Sequence, residues 1–140
     1  YSVLIASNNI PFKEGVKTFL DEILQNYLQT YAVKEVSSGL EAQIILDKGS
    51  INLAILEAFL SGKNGLQVLA DSCQKLPETK FIVWYSDIDP DSNLANPNSD
   101  LVRELSKASS RYGAILVYGF TPKEEFREAI RKCFEESKRN

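Results

Sequence analysis

Residues 51–69 read INLAILEAFLSGKNGLQVL, and the reading of this stretch decides the fold. Leu53 to Leu56 form an unbroken apolar run of strand length, as expected of a central strand covered on both faces. The run stops at a charge, Glu57. Turn-forming residues follow at Ser61, Gly62, Asn64 and Gly65. From Gly65 the residues Leu66, Leu69, Ala70, Cys73 and Leu76 recur at helical spacing. A buried strand running into an amphipathic helix is half of a βαβ unit.

The same alternation extends in both directions. Further strands are predicted over Val3–Ala6, Ala32–Val36, Phe81–Tyr85 and Ile115–Val117. A first helix carries Phe12, Val16, Phe19, Leu20, Ile23, Leu24, Tyr27 and Leu28 on one face. The second is announced by Ser38 with Glu41 three residues on, and the last by Thr121, Pro122 and Glu124; both are capping-box patterns. Leu101, Val102, Leu105, Ala108 and Tyr112 mark a fourth helix. Phe126, Ala129, Ile130, Cys133 and Phe134 line the fifth, so Cys133 is expected in the core. Five rounds of strand and helix predict an α/β domain of flavodoxin-like (βα)5 type. It is a three-layer sandwich around a parallel five-stranded sheet in the order 2-1-3-4-5, with its crevice at the carboxyl ends of strands 1 and 3.

At 140 residues one domain over 1–140 is expected, and the 44% hydrophobic and 25% charged fractions suit a globular chain. The strand pattern starts at once and there is no initiator Met, so a domain cut from a longer signalling protein is the expectation. A net charge of −3 disfavours direct nucleic-acid binding, which needs clustered cations. Arg131, Lys132, Lys138 and Arg139 crowd the end of the chain, but Glu128, Glu135 and Glu136 are interleaved and a solvated helix end is expected. Cys73 and Cys133 stand apart with no His anywhere, which excludes imidazole chemistry and suits a reduced, cytoplasmic protein. There is no apolar run long enough to span a membrane.

One stretch breaks the rhythm: residues 87–100, DIDPDSNLANPNSD, predict a long polar inserted loop. Asp87, Asp89, Asp91 and Asn93 have the spacing that opens an EF-hand loop. Ser92 replaces the turn glycine and Asn98 the bidentate Glu, so a solvated acidic loop without metal is expected.

The segment that opened the reading resembles the third strand and loop of bacterial response-regulator receiver domains. Ser61-Gly62 stand where Pro-Gly is usual and Asn64-Gly65-Leu66 where Asp-Gly-Leu is usual. VLIASNNIPFKEGVKTFL is similar to the family's first strand and helix, FIVWYS to its fourth strand, and YGAILVYGFTPKEEF to its fifth strand and last helix. The resemblance spans most of the chain. It implies two-component signal transduction, in which such domains serve phosphorelays: a strand-3 Asp accepts a phosphoryl group with a Mg²⁺ ion held by an acidic pair on strand 1. A strand-4 hydroxyl and a strand-5 Lys then bind the phosphate.

Here the acidic pair corresponds to Ser7 and Asn8, the phosphoacceptor to Glu57, the hydroxyl to Ser86, the Lys to Tyr118 and the switch aromatic to Ile115. Only Ser86 keeps the family's chemistry. Ser7 and Asn8 carry no charge, and Tyr118 offers a hydrogen bond without a cation. The extra methylene of Glu57 moves its carboxylate by roughly 1.5 Å, enough to spoil a near-attack geometry. The implied protein is a pseudo-receiver with no cofactor and lost or weak Mg²⁺ binding. It is not an enzyme, and it acts by protein–protein interaction. The expected partners are a histidine kinase, an output domain or a second copy, met through helix 4, strand 5 and helix 5.

Two readings of Glu57 stand side by side. In one it is a fixed negative charge imitating the phosphorylated state, held by Ser86 and Tyr118; in the other it is a solvated carboxylate. The alternative function is a phosphoacceptor response regulator using Glu57 as an unusual acceptor. A nucleotide- or flavin-binding crevice ranks last, because residues 7–11 (SNNIP) contain no glycine for a phosphate loop.

Overall fold

Short apolar runs and apolar stripes at the 3.6-residue helical spacing follow one another along the chain and are realised as alternating strands and helices. The computed structural model describes residues 1–85, 99–119 and 123–138. The elements are β1 (Ser2–Ala6), α1 (Ile10–Asn26), β2 (Ala32–Val36), α2 (Gly39–Lys48), β3 (Leu53–Glu57), α3 (Gly65–Ser72), β4 (Lys80–Tyr85), α4 (Ser99–Arg111), β5 (Ile115–Tyr118) and α5 (Glu124–Lys138). All strand pairs are parallel and the sheet order is β2-β1-β3-β4-β5.

The central strands are buried on both faces because each alternate residue meets a different helix layer. Val3, Ile5, Leu53, Ile55, Ile82, Trp84 and Val117 pack with Phe12, Val16 and Leu20 of α1 and Phe126, Ile130 and Phe134 of α5. Leu4, Ala6, Ala54, Leu56, Phe81, Val83 and Tyr85 pack on the opposite side with Ala42 and Leu46 of α2 and Val68 and Leu69 of α3. The Phe12 ring lies flat on Trp84, with centroids 3.5 Å apart and planes 4° apart, and ties the start of α1 to the end of β4.

Three helix ends differ from the periodic expectation. α1 stops at Asn26, so Tyr27 caps it and Leu28 adopts a left-handed φ of 53° at 95% exposure. Here the Leu28 N–H donates to the Gln25 carbonyl and the Gln29 N–H to Leu24, which closes a Schellman turn and overrides the apolar spacing. α3 stops at Ser72, although Cys73 and Leu76 still pack on the second core. α4 begins at Ser99, so Ser99 and Asp100 belong to a helix and not to the inserted loop. The rest of that loop, residues 87–98, lies outside the described residues, as do Ser86 and the Thr121–Pro122 cap.

At the second helix Ser38 accepts the Glu41 N–H as expected, at 3.2 Å. The return arm differs from a full capping box, since the Ser38 hydroxyl donates to the Glu41 carboxylate at 3.0 Å. A complete reciprocal box occurs at Asn64 and Gln67, opening α3. Cys133 is buried as expected, and burial pushes its thiol up to about 12. At the basic end of α5, Arg131 is bridged by Glu128 at 2.7 Å and Glu135 at 2.8 Å, the interleaving that the charge pattern implied.

Candidate functional site

A parallel sheet puts every strand's carboxyl end on one edge, and the described helix α1 starts from that edge as β1 ends. The chain leaves β1 through Ser7, whose N–H donates to the Val36 carbonyl at 3.0 Å. Ser7 is completely buried, and its hydroxyl oxygen accepts the Asn9 N–H at 2.9 Å. Asn8 points to solvent. Asn9 then caps α1, its side-chain oxygen accepting the Phe12 N–H at 2.9 Å, with Pro11 in the first turn. The end of β1 is therefore a helix-entry turn whose polar groups bond one another.

Glu57 closes β3. It is buried, at 9% exposure, and lies in register with Trp84 of β4. The next residue is pinned as well: the Ala58 N–H donates to the Trp84 carbonyl at 2.7 Å, and the Gly65 N–H to the Ala58 carbonyl at 2.9 Å. Gly65 sits so close that a Cβ there would collide with the Glu57 carbonyl. The β3–α3 loop is also fastened sideways, through a Ser38–Ser61 bridge and a Gly39 N–H to Ser61 carbonyl bond of 3.2 Å.

Tyr118 closes β5, in register with Tyr85, and is half-buried; burial raises its phenol above the usual value. Its ring packs on the α2–α3 side of the sheet. Phe59, beyond Glu57, lies edge-on to Tyr85 with centroids 5.1 Å apart. Ile115, at the start of β5, is half-buried and packs on the α1–α5 side, three residues away from the mouth. The structure thus brings Ser7, Asn8, Glu57 and Tyr118 to one edge of the sheet and leaves Ile115 at the far end of its strand. Ser86 lies outside the described residues.

Sequence reasoning passed over Asn9 and Phe59, and named Gly65 only for its place at the start of the third helix. Asn9 carried a signal, because an Asn two residues before a Pro at the head of an apolar helical pattern reads as an N-cap. Phe59 carried none, since its role depends on Tyr85 across the fold, and the place of Gly65 in the sequence did not show its close approach to the Glu57 carbonyl.

On the outer side of β5 an open groove of about 300 Å³ runs along α5, lined by Ile115, Glu125, Glu128, Ala129, Arg131 and Lys132. Among the described residues no group of three or more His, Cys, Asp or Glu is placed to hold a metal ion. Among them, too, no helix is long and apolar enough to cross a membrane.

A scan with protein-family models finds no match for this chain, and a search of the curated proteins finds none. Solved structures do match. The chain is similar to the REC domain of the response regulator AraT from Geobacillus stearothermophilus, with a TM-score of 0.75 and 18% identity over 99% of this chain and 96% of that one. It is similar to the signal receiver domain of an HD domain-containing protein from Pseudomonas fluorescens, with a TM-score of 0.72 and 17% identity over 99% and 98%. A CheY-like receiver domain protein from Methanospirillum hungatei gives a TM-score of 0.72 and 17% identity over 99% and 96%. These matches run over nearly the full length of both chains, and the chain has the fold of response-regulator receiver domains.

Proposed function

We propose that this chain is a receiver-like domain of signal transduction that works independently of phosphorylation, binding another protein and catalysing nothing. The observation that carries this reading is the chemistry at the end of β1. A magnesium ion demands hard, preferably anionic oxygen ligands at near-octahedral geometry. Ser7 is neutral, sealed from solvent and accepts the Asn9 N–H, while the Asn9 side chain caps α1. Glu57 is the one carboxylate among the four corresponding positions that the structure describes at this edge. These residues do not fit a divalent cation, and phosphoryl transfer to Glu57 would lack the ion that neutralises its charge.

Tyr118 supplies no cation for a phosphate at the β5 end, which supports the same conclusion. The docking face of this reading is the surface formed by α4, β5 and α5, and the groove along Ile115 and Ala129 lies on its α5 side. A histidine kinase, an output domain or a second copy in the cytoplasm is the class of partner such a face serves. The test is intact-mass measurement after incubation with acetyl phosphate and magnesium. An unchanged mass is expected; a gain of one phosphoryl group localised to Glu57 contradicts the proposal and favours the acceptor reading.

A further inference from the structure

α2 has apolar residues on both of its sides. Ala42 and Leu46 face the core, while Leu40 and Ile44, one turn apart, are 60% and 58% exposed. Two aliphatic side chains stacked at i and i+4 on the outer face of a helix lose contact with water only when a second surface covers them. Beside them, between α2 and α3, is an open groove of about 560 Å³ lined by Leu40, Gly62, Lys63, Gln67, Ala70 and Asp71. Lys63 forms one wall, donating to the Gln43 side chain at 2.9 Å and pairing with Asp71.

The charges that flank this stripe are arranged for one particular partner. On a helix of about 100° and 1.5 Å per residue, Glu41 lies about 4.5 Å before Ile44 and Lys48 about 6 Å after it, and both fall on the same flank. Asp47 falls on the other flank, the side of α3 and Lys63. A two-fold axis beside Ile44 and perpendicular to α2 reverses direction along the helix but preserves the flank. It therefore sets Glu41 against Lys48 of a second copy, and the reciprocal pair with it. The same operation carries the second copy's Asp47 over the groove walled by Lys63. Opposite charges meet on the Glu41 and Lys48 flank, while on the other the second copy's Asp47 approaches a Lys63 that is already paired with Asp71.

We propose that the outer face of α2 is a self-association surface, on which a second copy of this chain docks antiparallel through Leu40 and Ile44. Glu41–Lys48 pairs across the axis fix its orientation. Such an interface is isologous and closes as a dimer. It is separate from the α4–β5–α5 face and leaves that face open to another protein. Its small size places it among weak, concentration-dependent contacts.

Sedimentation equilibrium from low micromolar to several hundred micromolar tests it. The wild-type chain is expected to shift from monomer to dimer across that range, and Ile44→Asp to weaken association at least tenfold. Leu40, Ile44, Glu41 and Lys48 are exposed, but Glu41→Lys also removes the acceptor of the Ser38 hydroxyl at the start of α2, so circular dichroism and thermal unfolding check that each variant keeps the fold. Glu41→Lys and Lys48→Glu are each expected to weaken association several-fold, and the double exchange to restore it. A chain that stays monomeric throughout overturns the proposal. So does a dimer that ignores Ile44→Asp, or a double exchange no better than its single variants.

Discussion

The fully buried Ser7 accepts the N–H of Asn9 on its hydroxyl oxygen at 2.9 Å, in the turn that leads from β1 into α1. Where the receiver-domain resemblance leads one to expect a pair of carboxylates, the chain has built the start of a helix. The turn is self-sufficient: Ser7 serves Asn9, and Asn9 serves Phe12.

Removing that hydroxyl leaves the Asn9 N–H without its acceptor in a half-buried setting. Ser7→Ala is expected to cost about 1–2 kcal/mol, the usual penalty for a stranded donor. Urea unfolding monitored at Trp84, the single tryptophan, measures it. A loss below about 0.3 kcal/mol would mean the bond does not organise the turn.

Leu28 offers the opposite opportunity. It holds a left-handed φ of 53° at the residue after the α1 cap and is 95% exposed, so it contributes strain and almost no packing. Leu28→Gly is expected to stabilise the protein by about 0.5–1 kcal/mol, because glycine adopts that backbone without steric cost. Thermal unfolding of the two proteins decides, and a lower midpoint for the glycine variant contradicts the account.

Alkaline pH should loosen the fold through Cys133. Burial raises its thiol from an ordinary 9.0 to about 12 in the folded protein. The unfolded chain therefore gives up this proton near pH 9 while the folded chain keeps it. Stability from this group is complete below about pH 9 and falls toward pH 12, by about 1.4 kcal/mol per pH unit. Tyr1, raised from 10.0 to about 12 by burial, adds a second decline that begins one unit higher. Comparing urea midpoints at about pH 8 and about pH 10, the wild-type protein should lose about 1.4 kcal/mol more than Cys133→Ala. Equal losses in the two proteins would show that Cys133 is not the group responsible.

Much of this structure was legible in the residues because the central strands β1, β3 and β4 are apolar except for one end residue each and the helices between them carry clear stripes. Those are averages over many side chains, and they survive local exceptions. Individual ends were less legible. The apolar spacing of α1 runs on to Leu28, yet a Schellman turn stops the helix at Asn26. That turn is a backbone arrangement which a leucine does not announce. At the mouth, the identities of Ser7, Asn8, Glu57 and Tyr118 could be read off directly, because they sit at fixed offsets from strand ends. Their surroundings could not. That Ser7 is buried and bonded to Asn9, or that Phe59 rests against Tyr85, depends on contacts that no spacing records.

The central proposal is that Ser7, Asn8 and Glu57, at the described edge of the sheet, do not seat a divalent cation. The most direct test is a magnesium titration followed by backbone amide NMR signals, read at Ser7, Asn8, Asn9 and Glu57 up to millimolar ion. The account predicts no saturable change at these four positions. Saturable shifts centred on Ser7 and Glu57 within that range would contradict it.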